Sequence, residues 1–271
     1  MYVDVHAHLI HPTFAGREDD VATRALAAGV TRVIVNGLEP KSNRAVLELC
    51  ARHDNLLPAL GIYPVDAIAG RLDRERWAHP WPPPAPFDAD AEVDFIASVA
   101  DRLVAIGECG LDAYWDTEHL DEQERVLRRL ILVAQAADKP LILHTRKAEE
   151  RTFSILKEMG VTRADFHCFG GKLKLAQQIA EHGYHLSIPP VVVRAESFQR
   201  MVAKLPLDSL LTETDCPYMG PDSETNEPAK VPIGVRKMAE LRQLSPEAMA
   251  QALAQNFERL FRLPAVPRDL A

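Results

Sequence analysis

The stretch PLILHTRKAEERTFSILKEMGVTRADFHCFGG, residues 140–171, decides the fold. It opens on an apolar run, Leu141-Ile142-Leu143. It passes through EERTFSILKEMG, which reads as a helix, and closes on ADFHCFGG, a second strand. Two strands separated by a helix predict a parallel pair, because antiparallel neighbours need only a tight turn. Each strand ends in a histidine, His144 and His167.

The same alternation continues in both directions. Toward the C-terminus, LKLAQQIAEHG reads as a helix, YHLSIPP as a strand, ESFQRMVAKLP as a helix and LDSLLTETDCP as a strand. PIGVRKMAELRQ and SPEAMAQALAQNFERLFR close the chain as helices. Toward the N-terminus, DEQERVLRRLILVAQAADK is a long amphipathic helix preceded by the strand LVAIGECGLD. Before it lie the helix DADAEVDFIASVADR, the strand LLPALGIYP and the helix NRAVLELCARHD. RVIVNG is a further strand, the helix DDVATRALAAG before it ends in Gly29, and VDVHAHL, residues 3–9, is the first strand. Eight strands centred near 3, 34, 59, 105, 142, 166, 186 and 211 predict an α/β fold, a single (β/α)8 TIM barrel. An open doubly wound sheet is the competing arrangement. One domain is expected over residues 1–271, with a Pro/Trp-rich insertion at about 66–90, a length usual for one such barrel.

Active sites of these barrels lie at the C-terminal ends of the strands. His6 and His8 end the first strand and, one residue apart, face the same way. Glu108 ends the fourth strand, His144 the fifth, His167 the sixth and Asp215 the eighth. Four histidines and two carboxylates therefore converge on one mouth. Imidazole and carboxylate suit zinc, manganese, nickel or cobalt, and carboxylate also suits magnesium. Six side chains exceed what one four-coordinate zinc with an open position uses. Two ions about 3.5–4 Å apart can share a carboxylate and a bridging hydroxide. Glu108 is the natural bridge. His6, His8 and Asp215 would hold one ion, and His144 and His167 the other.

Composition sets the outer limits. The chain has 47% apolar and 26% charged residues, an ordinary globular balance. A formal charge of −8 disfavours a broad electrostatic grip on duplex nucleic acid but leaves room for a local anion site built on metal ions. No apolar run reaches membrane-spanning length, and the N-terminus lacks a basic segment followed by an apolar one, so we expect a cytoplasmic monomer with no membrane partner. Cys50, Cys109, Cys168 and Cys216 form no C-x-x-C pair and are expected to be reduced. The last three each follow a proposed ligand by one residue, which turns them toward the helix layer as core fillers.

The set VDVHAH, GIYP, AIGECGLD, LILHTRKA, FHCFGG, ETDCPY and NEPAKVP resembles the TatD family of metal-dependent hydrolases, among the amidohydrolase-like barrels. The resemblance runs in order through nearly the whole chain. It implies a TIM barrel with one or two divalent metals and hydrolysis of phosphodiester bonds, commonly as a 3′→5′ deoxyribonuclease on single-stranded DNA or short nucleic acid. By motif position it carries His6, His8, Glu108, His144, His167 and Asp215 over as ligands. Two positions depart from the family pattern. Tyr63 stands where the family often has a histidine, so any part it plays is that of a neutral donor. FHCFGG replaces the family's HCFSG and removes one hydroxyl beside the site.

Four further readings concern the mouth. Arg146, two residues past His144, can fork onto a phosphate. Asp215 can take the proton from the attacking water as well as bind metal. Lys147 and Glu213 are each balanced between a part in the site and a structural part, and Lys230, after the eighth strand, is within reach of the mouth. Trp77 and Trp81, beside His79 in the insertion, and Trp115, after the fourth strand, all fall in mouth loops. They would stack bases of a single strand, or else pack a rigid flap. Hydrolysis of an amide, lactone or small ester on the same binuclear barrel is the alternative function, and Tyr63 is the feature that favours it.

Overall fold

The computed structural model describes residues 1–75, 77 and 82–264. Trp81 and His79 lie outside the described residues. Eight strands lie in one sheet in consecutive order, every neighbouring pair parallel. They are β1 (Tyr2–Ala7), β2 (Val30–Asn36), β3 (Leu56–Leu60) and β4 (Ala105–Asp112), then β5 (Leu141–Arg146), β6 (Ala164–Phe166), β7 (His185–Ile188) and β8 (Leu210–Thr212). All eight fall where the sequence places them.

Helices alternate with the strands. The first half carries α1 (Glu18–Ala27), α2 (Pro40–Cys50), α3 (Pro64–Ala67), α4 (Ala89–Ser98) and α5 (Leu120–Ala136). The second half carries α6 (Glu149–Glu158), α7 (Leu173–Glu181), α8 (Glu196–Lys204), α9 (Val231–Arg242) and α10 (Pro246–Phe261). α5 shows why such segments form the outer layer. Val126, Leu127, Leu130, Ile131 and Ala134 recur at helical spacing and are all buried, while its charged residues face outward. The one-turn α3 was not anticipated. Pro64 at its first position presets the backbone, and too few residues follow to leave a periodic signal. Among the described residues no helix is long and apolar enough to cross a membrane.

Closure of the barrel is local. Ala7 bridges Cys216 in parallel, the Asp215 amide donates to the His6 carbonyl at 2.8 Å, and the His8 amide donates to the Cys216 carbonyl at 3.2 Å. Below this, the buried Asp4 carboxyl accepts from the Thr214 amide at 2.9 Å and engages its hydroxyl at 2.6 Å. The β8–β1 seam thus joins the backbone around three of the expected ligands.

The floor of the barrel is apolar. Val3, Val5, Ile142 and Leu211 pack with Phe257 and Phe261 of α10, which plugs the end away from the mouth. His185 is buried at the start of β7 with both ring nitrogens unpartnered. Burial, helped by the positive charge of Arg259, lowers it from 6.5 to about 4. The unfolded chain therefore binds a proton between pH 6.5 and 4 that the folded chain refuses, and stability falls as pH drops through that window. His185→Leu is expected to remove about 3 kcal/mol of that acid-side loss, at 1.36 kcal/mol per pH unit. Urea melts of both proteins at pH 7 and pH 4 check it, and parallel slopes would show that His185 is hydrated.

Candidate metal centre

β1 and β4 are not regular where they meet the mouth. The register slips between Asp4 and Ala7 in β1 and between Ile106 and Cys109 in β4. Strict alternation fails there. Val3 and Val5 join the floor, yet His6 and His8 both reach the mouth, their Nε2 atoms 3.0 Å apart. Gly110, at φ 148, lets β4 approach β5. A Cβ at this position would stand 1.9 Å from the His144 carbonyl oxygen. β6 and β8 are only three residues long, so His167 and Asp215 sit in the turns beyond them. Asp215 has φ 52 and Cys168 φ 43, left-handed backbone that aims each turn.

Six side chains meet at the mouth, with Glu108 at their centre. Its Oε2 lies 3.3 Å from Nε2 of His6 and 3.3 Å from Nε2 of His8. Its Oε1 lies 2.9 Å from Nδ1 of His144 and 3.1 Å from Nε2 of His167. Each carboxylate oxygen thus faces one histidine pair. Asp215 Oδ1 is 3.5 Å from His8 Nε2 and 3.8 Å from His6 Nε2. The two halves touch where the His6 ring stacks on His167, 3.8 Å between centroids. Three ligand triads result: His6, His8 and Glu108; Glu108, His144 and His167; and His6, His167 and Asp215. The grouping from sequence had Asp215 with His6 and His8; the geometry also brings His167 within its reach.

The donor chemistry fits divalent cations. A neutral imidazole keeps one nitrogen free of protons, and its other nitrogen decides which. His144 Nε2 lies 3.0 Å from Asp112 Oδ2, which can only accept, so Nδ1 is the free atom and faces Glu108. His8 Nδ1 lies 3.4 Å from the Asn36 carbonyl oxygen, leaving Nε2 free. Glu213 lies 3.7 Å from His167 Nδ1 and is itself held by the Cys168 amide and the Ser187 hydroxyl. Partners such as the Asp112 carboxylate and the Asn36 carbonyl fix the tautomer of metal-binding histidines, whereas Glu213 acts on His167 by its charge.

Charge follows the same pattern. Burial would push the Glu108 carboxyl up, but the imidazoles of His167 and His6 and the hydrogen bonds of His144 and His167 outweigh it and hold it well below the usual range. Burial alone would lower His167, yet the Glu108 and Glu213 carboxylates raise it well above its ordinary value. Cations entering the cluster therefore compete with protons, and occupancy falls in acid.

Asp112 was missed in the sequence, although it lies in the quoted strand. One oxygen meets His144; the other accepts the amides of Tyr114 and Trp115, each at 2.9 Å. A carboxylate four residues past Glu108 on the same strand was the available signal. Tyr63 donates its hydroxyl to Asp112 Oδ2 at 3.0 Å and sets its ring edge-on to His144 at 4.8 Å. Burial, with the charges of Asp112 and Glu108 added, pushes its phenol well above 10, so it stays a neutral donor.

Arg146 is not drawn into the cluster. Its guanidinium lies 3.8 Å over the Tyr114 ring and 5.0 Å from the Trp115 ring, at the edge of the mouth. Tyr114, which the sequence reading passed over, is 51% exposed and packs edge-on against Trp115. Lys230 points to the loop instead and donates to Asp222 at 2.7 Å. Lys147 is exposed. Cys109 and Cys216 are fully buried in the layer between strands and helices, whereas Cys168 is half-buried.

Known proteins resemble this chain along nearly its whole length. The family described as TatD related DNase matches residues 3–262. A mouse protein named putative deoxyribonuclease TATDN3 is 34% identical over 265 residues, 96% of this chain and 87% of its own length. A Salmonella typhimurium protein named 3′-5′ ssDNA/RNA exonuclease TatD is 29% identical, with 96% and 98% covered. The crystal structure of the Escherichia coli TatD homolog YjjV superposes with a TM-score of 0.83 at 30% identity, covering 97% of this chain and 98% of that one.

Proposed function

The chain belongs to the TatD family of DNase-related, metal-dependent hydrolases, and from that premise we propose that it hydrolyses phosphodiester bonds of single-stranded nucleic acid, as a 3′→5′ exodeoxyribonuclease. One observation carries the reading: Glu108 turns one oxygen to each of two histidine pairs. We read the whole chain as one hydrolase domain. His6, His8 and Asp215 on one side, His144 and His167 on the other, and Glu108 between them would hold two divalent ions of the Zn, Mn, Mg, Ni or Co class. Bound there, the ions would supply Lewis acidity and a nucleophilic water at neutral pH.

The remaining steps belong to side chains. Asp215 is held ionised by His8 and the other imidazoles against the effect of its burial, and as a carboxylate beside the centre it would accept the proton of the attacking water. Tyr63 and Asp112 keep His144 in one orientation. Arg146, carried on Tyr114 and Trp115, is placed to swing its guanidinium onto a phosphate oxygen. The same two rings offer faces for a base. Tyr114→Ala and Trp115→Ala are each expected to weaken oligonucleotide binding by about 1–3 kcal/mol. Hydrolysis of a small chromogenic phosphodiester should stay near wild type, and equal losses on both substrates would mark the pair as structural.

The direct test is a 5′-labelled single-stranded oligonucleotide with manganese or magnesium, which should shorten stepwise from its 3′ end. Tyr63 favours a second reading, since the family often has a histidine there. An intact oligonucleotide alongside turnover of amides, lactones or small esters would establish that one.

A further inference from the structure

Tyr218 and His11 form a pair at the mouth that the chemistry above does not use. Each hangs from a metal-centre residue by one turn. The His11 amide donates to the His8 carbonyl at 3.0 Å, and the Tyr218 amide donates to the Asp215 carbonyl at 3.0 Å. They meet across the β8–β1 seam, Tyr218 oxygen to His11 Nε2 at 3.2 Å, rings edge-on at 5.6 Å. Tyr218 is 54% exposed, unusual for a large ring beside a buried cluster.

The histidine tautomer is fixed locally. The Thr13 amide, which can only donate, points at His11 Nδ1 at 3.2 Å. Nδ1 is therefore the acceptor, and the ring proton sits on Nε2, facing Tyr218. The Tyr218 oxygen accepts a hydrogen bond from that N–H, so its own O–H is left to donate outward. In an eight-stranded barrel β8 and β1 lie across the mouth from β4 and β5. Tyr218, just past β8, therefore stands on the side of the mouth opposite the loop that carries Tyr114 and Trp115. A strand bound with one phosphate at the centre can leave over the Tyr218 wall.

We propose that the Tyr218 hydroxyl, oriented by His11, donates to the phosphate next to the scissile one on a bound single strand. Neutral hydroxyl donors commonly take backbone phosphates, where they set register rather than read sequence. This inference rests on the nuclease reading above. Tyr218 would be a substrate-binding residue, and His11 a positioning residue.

A dinucleotide has only the scissile phosphate, and a trinucleotide has one more. Tyr218→Phe should raise KM for a trinucleotide about tenfold, the scale of one lost hydrogen bond to a charged group. Its kcat should stay within about twofold, its dinucleotide kinetics unchanged and its Tm unchanged. His11→Ala should shift KM the same way. His11→Gln, which keeps a donor near the Nε2 position, should recover most of the loss. Unchanged trinucleotide KM in Tyr218→Phe, equal losses on both substrates, or a lower Tm with lower kcat would each overturn the assignment. The last would make the pair a staple of the seam. A wild-type protein that cleaves neither of these nor the longer labelled oligonucleotide would overturn the nuclease reading itself.

Discussion

Glu108→Ala is expected to lose hydrolysis by about three orders of magnitude or more, together with bound metal. The loss is this large because one side chain serves both histidine pairs. Removing a Lewis-acid site forfeits several kcal/mol of transition-state stabilisation, and about 4 kcal/mol is a thousandfold in rate. The fold should survive, since Glu108 makes its contacts upward into the cluster and not down into the apolar floor. The expected pattern is coupled loss of activity and metal with a Tm close to that of the chelated wild type. Full hydrolysis by the variant would remove Glu108 from the centre.

Asp215→Asn separates two tasks that Asp215 is given. The residue has φ 52, a conformation asparagine adopts almost as readily as aspartate, so the turn beyond β8 should hold. The amide cannot take a proton from water and binds metal weakly. We expect kcat to drop about 10²- to 10⁴-fold, the usual worth of a positioned general base. If Asp215 is chiefly the base, metal content should fall much less than activity. Metal loss matching the activity loss would make it chiefly a ligand. Unimpaired turnover would exclude both roles.

The fold was legible because its signal repeats. Each strand is a short β-branched or apolar run, each is followed by a helix, and five of them end in an imidazole or carboxylate at the same end. His144 and His167 alone fix a parallel pair and one half of a site. What was not legible follows from geometry that no spacing encodes. The register slip in β1 lets His6 and His8 face the mouth although Val3 and Val5 face the floor beneath it. Simple alternation reached the right answer for the two histidines without foreseeing the slip. Asp112 was passed over because an acidic residue at a strand end has no signature until its partners, His144 and Tyr63, are in place. Arg146 is read from sequence as a phosphate fork beside His144, but an aromatic face next to a flexible guanidinium gives it a resting place there, and Tyr114 carried no mark in the sequence that it would supply one.

The most direct measurement is metal content by elemental analysis of protein purified without chelator and then saturated with manganese or zinc. Two carboxylate oxygens, each facing its own histidine pair, call for close to two divalent ions per chain in the wild type and one or fewer in Glu108→Ala. No bound metal, or a single ion that Glu108→Ala retains, would contradict a binuclear centre.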